Sequence, residues 1–539
     1  MIQKPSKLYS LKKFFLIIAL YVLAISTESC GGGGSGGEGD TRGGLYTISG
    51  TVTSGGSSMT GVTITLAGSP TKTTDSNGAY QLTDLGSGSY TITPSKEGFN
   101  FSPASLTVSI TNSNVPEQNF TATAVTWAKI YGGSSADIAH FIQQSSDGGF
   151  IVVGETSSFG LNSDVWILKL DVNGNIAWQK TYDGDGVDIA HSMQQTLDGG
   201  FIVAGETSSS GQNTDVWILK LDVNGNIAWQ KTYGGDGADI AHSIQQTTEG
   251  GFIVAGETSS FGAETDVWIL KMDANGNIAW EKRYGGSGED IAHSIQQTSD
   301  GGYIIAGESN SFGGGDKDIW VLRLTSAGAI QWQKTYGTNT SEDSAYSVQQ
   351  TSDGGFIVAG ETIAGRPDVW VLKLDANGAI QWQKTYGGAN DDAAKSIQQT
   401  SDGGYILAGV TSSFAHFFGD IWLLKLDASG AIQWEKTYGG NVSNSADSIR
   451  QTSDGGYIVA GTTTSFPGNS NYWVLKLDGT GDVGTGCAVI GTSNATVAST
   501  EAQAVDSLGT QNTTNAIIAI TNITPKETNA TPLNQCSSP

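Results

Sequence analysis

Residues 290–337 read DIAHSIQQTSDGGYIIAGESNSFGGGDKDIWVLRLTSAGAIQWQKTYG. The stretch divides into four short apolar runs. Asp300-Gly301-Gly302 separates the first run from the second, and Ala327-Gly328 separates the third from the fourth. Both junctions need a residue that tolerates positive φ, which glycine and asparagine do. Four antiparallel strands per unit follow. The unit recurs seven times between Trp127 and about Asp482. All 14 tryptophans fall inside it, two per copy. One register holds Trp127, Trp178, Trp229, Trp280, Trp332, Trp382 and Trp434; the other holds Trp166, Trp217, Trp268, Trp320, Trp370, Trp422 and Trp473. A regular period of this size marks a supersecondary unit that buries its faces only against its neighbours. Fixed register marks the tryptophans as core, each worth roughly 5 kcal/mol of gross transfer energy from about 200 Å² of burial.

The ends of the array predict its closure. A lone strand of the fourth type, Thr126–Tyr131, precedes the first complete unit. The last unit stops after its third strand, and Gly479–Gly486 holds no counterpart of WQKTY. Pairing the lone strand with that last unit would leave no free edge. The expected fold is all-β: a seven-bladed β-propeller over 125–482, closed by an N-terminal outer strand and preceded by a small antiparallel β-sandwich.

That sandwich is expected over 45–124, where YTISGTVT, GVTITLAG, AYQLTDL, GSYTITP, SLTVSIT and QNFTATA alternate apolar and polar residues. With Asn77-Gly78 as a hairpin turn, and Gly61-Val62 and Gly88-Ser89-Tyr90 beside it, the segment resembles the carboxypeptidase-regulatory-like modules of prealbumin type. Such modules act as spacers or stalks. The array itself, through recurring DGGFIVAGET and DVWILKLDANGNIAWQKTYGG, resembles bacterial beta-propeller-repeat lipoproteins. That resemblance implies the fold and leaves the activity open, because one fold hosts many functions.

Upstream, Lys4, Lys7, Lys12 and Lys13 precede twelve apolar residues, Phe14 to Ile25. The run is too short to span a bilayer and suits a signal-peptide core over 1–29. Ser26-Thr27-Glu28-Ser29-Cys30 then resembles a bacterial lipoprotein signal, which implies lipidation at Cys30. Thr27 and Glu28 depart from the usual pattern. Residues 30–44 read as a glycine-rich tether. The tail, 483–539, reads as loop or weak β, and Cys487 with Cys536 could close a disulfide around it.

The chain has 539 residues, 75 of them glycine, and a net charge of −25. Such acidity argues against nucleic acid and anionic membrane surfaces and leaves a lipid anchor as the membrane contact. It favours cations, basic partners or solubility alone.

The first two strands of each unit carry the sharpest candidate site. With Asp-Gly at the centre of their turn, His140 would face Glu155, His191 Glu206, His242 Glu257 and His293 Glu308 across the ladder. Later units would place Tyr346 opposite Glu361, Lys395 opposite Val410 and Asp447 opposite Thr462. These pairs either pin register or form a pH-responsive or metal-binding arc. A turn centred on Gly-Gly would shift the register by one residue. The same end gathers loop carboxylates, among them Asp137, Asp239, Asp290, Asp343 and Asp392. In Asp183-Gly184-Asp185-Gly186-Val187-Asp188, Asp183, Asp185 and Asp188 could wrap Ca²⁺, although aspartate and glycine are also ordinary turn residues. The sixth unit departs most: Phe414, His416, Phe417 and Phe418 put aromatics at a loop tip that is polar elsewhere, either as a contact surface or folded back on the rim.

No HExxH, G-x-S-x-G, phosphate loop or CxxC is present. Repeated near-identical units favour binding over catalysis, which needs differently tuned groups side by side. The expectation is a monomeric, exported, lipid-anchored cell-envelope scaffold presenting the propeller to a protein or glycan. The alternative is an envelope carbohydrate-active enzyme, a lyase or hydrolase using the histidine and carboxylate end.

Overall fold

The computed structural model describes residues 44–484 apart from 68–70, 185, 209–212, 315, 338–340, 364, 415–417, 440–441 and 465–468. Beyond 484 it describes seven short strands. Among these residues there is no helix, and so none long and apolar enough to cross a membrane. Cys30, the leader and the tether lie outside the described residues.

The N-terminal module is a sandwich of two sheets. Tyr46–Ser54 sits among Ser57–Ser58, Ala79–Leu85 and Phe120–Ala124, with Phe99–Ser102 beyond the last. Lys72–Thr73, Thr63–Leu66, Gly88–Ser95 and Leu106–Ile110 make the second sheet. Ile48, Val52, Ile64, Ile92 and Phe120 fill the space between them. The expectation of a purely antiparallel sandwich is corrected at one place: Tyr46–Ser54 runs parallel to Phe120–Ala124. The long connection from Ala79–Leu85 through the second sheet allows that crossover. At the hairpin, Asp75 Oδ1 accepts from the Asn77 and Ala79 N–H groups, and Gly78 takes φ +69°.

Each repeat makes one antiparallel four-stranded sheet. In the first these are Asp137–Gln144, Phe150–Thr156, Asp164–Leu170 and Ile176–Tyr182. The seventh repeat contributes Asn444–Gln451, Tyr457–Thr463 and Asn471–Leu477. Its fourth strand is Trp127–Tyr131, with Ala128 opposite Leu475 and Ile130 opposite Trp473. The first and last sheets also share one core, where Trp127, Phe150 and Trp166 pack with Ile458, Tyr472 and Val474.

Two irregularities recur in every repeat and correct the expected register. The first turn centres on Ser146-Asp147. Gly148 N–H donates to Ser145 C=O, and Gly148 follows as an extra left-handed residue at φ +82°. The strands then carry a bulge between Ala139 and Phe141, so Ile138 faces Glu155 and His140 has no backbone partner. A bulge of this kind re-aims one side chain and kinks the strand.

The two tryptophan registers are not equivalent. Trp166 and its third-strand counterparts are fully buried. On the fourth strands only Trp127 is; the rest are half-buried, each lying against the next repeat's turn glycine, as Trp178 does against Gly225. A Cβ on Gly225, already at φ +73°, would run into that indole. Below it, Tyr182 Oη donates to Gly225 C=O at 2.7 Å, a bond repeated from Tyr131–Gly174 to Tyr438–Gly481.

The tail departs from expectation. Seven short strands, Ile490–Gly491, Thr496–Ala498, Gln503–Asp506, Thr510–Asn512, Ile517–Ala519, Lys526–Glu527 and Leu533–Ser537, each add a fifth strand to one repeat sheet. They run from the sixth repeat back to the first and then onto Trp127–Tyr131. A fourth strand otherwise presents unpaired N–H and C=O groups at a sheet edge, and the tail pairs with them. Cys487 lies outside the described residues, and the backbone of Cys536 faces Ala128.

Candidate functional site

The bulge turns one side chain per first strand toward its neighbours. His140, His191, His242 and His293 stack successively, with ring centroids 5.4, 5.4 and 5.3 Å apart. Tyr346 continues the stack at 5.2 Å from His293, and Lys395 Nζ lies 3.4 Å from the Tyr346 ring centre. Asp447 completes this level; burial raises its carboxyl, opposed by the nearby His140, Lys395 and His191. One level therefore draws a side chain from all seven repeats.

The glutamates stand behind the imidazoles even though the backbone register differs from the expected one. His140, His191 and His293 Nε2 lie 3.8, 3.2 and 3.7 Å from Glu155, Glu206 and Glu308. Tyr346 Oη donates to Glu361 at 2.5 Å. Lys317 adds a 2.6 Å contact to Glu308, whose carboxyl is held far below its ordinary value: hydrogen bonds from His293, Lys317 and Ser344 outweigh its burial. The third repeat differs. Burial pushes Glu257 up to about 7, helped by Glu289, Glu206 and Glu308. Burial first, then His293 and His191, depresses the imidazole of His242. Neighbouring imidazoles are tilted 50–55° to one another. Among the described residues the metal-competent cluster is a different one.

That cluster is Asp164, Asp183 and Asp188, whose ligand atoms lie within 4.8 Å of one another. It joins two members of the expected loop, Asp183 and Asp188, with Asp164 from a third strand; Asp185 lies outside the described residues. Asp188 and its equivalents Asp137, Asp239, Asp290, Asp343 and Asp392 are fully buried. Asp137 Oδ2 shows why: it accepts from Gly133 N–H and Ser158 Oγ, clamping the loop before its strand. All but Asp137 also approach the aspartate that opens the preceding third strand, as Asp343 does Asp318 and Asp392 does Asp368. Burial pushes Asp266, Asp318 and Asp368 up to about 6, each with a carboxylate neighbour adding to it; for Asp266 this outweighs the opposing Arg283. Two junctions carry asparagine instead. Asn444 Nδ2 donates to Asp420 at 2.9 Å, and Asn471 stands beside Asp137 at Gly132.

Further along the same strands lies a cavity of about 220 Å³ lined by first-strand residues of all seven repeats. Its polar level is Gln143, Gln194, Gln245, Gln296, Gln349, Gln398 and Arg450. Each glutamine oxygen accepts from a backbone N–H of the next repeat, at 3.1 Å for Gln195→Gln143 and at 2.5–2.6 Å for the other five. Serines beside them bond likewise, as Ile244 N–H does to Ser192 Oγ. Arg450 Nη1 donates to Ser396 Oγ at 3.1 Å and to Ile449 C=O at 2.7 Å, and its guanidinium lies 4.8 Å from the Phe141 ring centre. Desolvation brings it down to about 10, so it stays charged at neutral pH. The sequence signal was the recurring IQQ, which becomes Ile449-Arg450-Gln451 in the last repeat.

The sixth-repeat loop is less unusual than expected. Phe414 packs on Trp422 with ring centres 5.3 Å apart, as Phe312 does on Trp320. Phe418 is exposed, while His416 and Phe417 lie outside the described residues.

Fold and site define an all-β protein with a β-sandwich module ahead of seven repeated sheets. Residues 44–124 match the family described as BOS complex subunit NOMO1-like, second beta sandwich domain. The chain is 27% identical over 138 residues to the regulatory protein FlaEY of Caulobacter vibrioides, covering 14% of that protein. It is 42% identical over 73 residues to the chitinase ChiA of Flavobacterium johnsoniae, covering 5% of it. Among solved structures it is similar to a protein of unknown function from Dyadobacter fermentans, at 12% identity and TM-score 0.39 over 65% of this chain and 98% of that one. It is also similar to the extracellular domain of a hybrid two-component system from B. thetaiotaomicron, at 13% identity and TM-score 0.34 over 63% and 40%.

Proposed function

We propose that the seven sheets are the blades of a closed propeller, carried on the sandwich as a stalk, exported and anchored through Cys30. In this reading the propeller binds a glycan or protein and does not turn it over. Closure is supported by seven equivalent bonds from a turn N–H to a glutamine of another repeat. Six join successive repeats, as Ser146 to Gln195 at 2.8 Å; the seventh joins Ser453 to Gln144, also at 2.8 Å. The observation that carries the binding reading is that the first-strand polar groups are tied to one another repeat after repeat, an arrangement suited to a stiff recognition surface.

One observation favours a second reading, an envelope carbohydrate-active enzyme. Glu257, near pH 7 and beside the histidine stack, is poised as a general acid. A glycan array run beside a reducing-sugar assay separates the two. Retention of a glycan without new reducing ends, unchanged by Glu257→Gln, is the expected result. Release of reducing ends that Glu257→Gln abolishes contradicts the scaffold.

A further inference from the structure

We propose that the cavity at the glutamine and arginine level is an anion site that takes one carboxylate or small oxyanion. The inference goes beyond the scaffold reading and needs only the cavity.

A backbone N–H can only donate, so the atom of each carboxamide facing it is the oxygen. That fixes six amide orientations and turns six NH₂ groups away from the strands, at residues that line the cavity. Among the described residues, none of these six amide nitrogens has a protein acceptor, and neither Nη2 nor Nε of Arg450 does. Among the described residues no carboxylate forms an ion pair with Arg450. The lining thus offers donors and one uncompensated charge, whereas the serine oxygens are already accepting, as Ser243 does from Ile295 N–H. A half-buried guanidinium without a counter-charge gains when something completes its bonding.

The repeat pattern makes the same point. In six repeats this position holds glutamine, and its oxygen bonds the next repeat. Arginine has no acceptor to offer Gln144 N–H, so the seventh repeat gives up a bond of that kind and gains a charge. Phe141, where the other six repeats have serine, supplies the face on which that guanidinium rests. The cavity has room for roughly seven waters at about 30 Å³ each, the scale of sulfate or a single sugar acid. The chain as a whole repels anions at −25, so contact donors and not long-range steering must hold the ligand.

Calorimetric titration of the full-length chain with sodium sulfate, glucuronate, glucose and a glucuronate-ended oligosaccharide tests this. One equivalent of sulfate or glucuronate should bind, and glucose should not. Sulfate alone would point to a free oxyanion, and glucuronate with its oligosaccharide to an acidic glycan end. Arg450→Gln extends the pattern of the other six repeats, so the variant is expected to fold, and thermal melting checks that it does. It should weaken anion binding at least about tenfold, the usual worth of a charge-assisted hydrogen bond. Equal binding by Arg450→Gln, equal binding of glucose, or binding of no anion overturns the proposal.

Discussion

The histidine level and the glutamine level sit on the same seven strands, three residues apart, and behave differently. At the first, side chains touch other side chains, and the residues drift from four histidines to Tyr346, Lys395 and Asp447. At the second, six of seven residues are glutamine, and each glutamine bonds the backbone of the next repeat. A backbone N–H is the same in every repeat, so the group that meets it must be the same too. Side-chain stacking accepts any flat or long partner. A departure at the histidine level therefore costs little, whereas Arg450, a departure at the bonded level, displaces a repeated hydrogen bond and calls for a function.

The comparison can be broken first at the bonded level. Gln245→Ala leaves the Gln297 N–H without its 2.6 Å acceptor. The expected loss is about 1–3 kcal/mol, read from chemical denaturation; no change would place the two levels on an equal footing. The junction aspartates offer the next effect. The folded pKa of Asp318 is raised to about 6 by burial and by Asp343, above the usual value near 3.9. The folded state then binds more protons than the unfolded one between those values, so stability is highest below that range and is lost as pH rises through about 6. Melting temperature should fall from pH 5 to pH 8. Asp318→Asn, copying the Asn471–Asp137 junction, should recover about 1 kcal/mol at pH 8, the usual worth of one hydrogen bond, and nothing at pH 5. A melting temperature flat in pH for both proteins would remove the carboxyl pair from the account. The smallest effect belongs to the histidine level: His191→Ala should cost less than about 1 kcal/mol, measured by the same denaturation.

The period, the four strands and the unmatched strand at Trp127 were legible because turn glycines and tryptophans recur at fixed spacing. The turn and bulge were not. Asp147-Gly148-Gly149 accommodates more than one centre, and the bulge at His140 leaves alternation on both sides undisturbed. His140 still reached Glu155, because the side chains span a slip the backbone does not share. The glutamine level escaped notice because its partners lie 52 residues away at Gln143 and Gln195 and include no second side chain. Asp164 was missed for a related reason: it joins Asp183 and Asp188 from outside their loop. Tail strands as short as Lys526–Glu527 are below the length at which alternation can be read.

Closure of the array can be tested directly by a disulfide across the Ala128–Leu475 pair. In a chain with Cys487 and Cys536 replaced by serine, Ala128→Cys with Leu475→Cys should oxidise and migrate as a compact looped species on a non-reducing gel. The same substitutions made singly should not. Failure of the paired cysteines to join in the folded protein, with the free thiols titrating fully after unfolding, would contradict a closed array of seven blades.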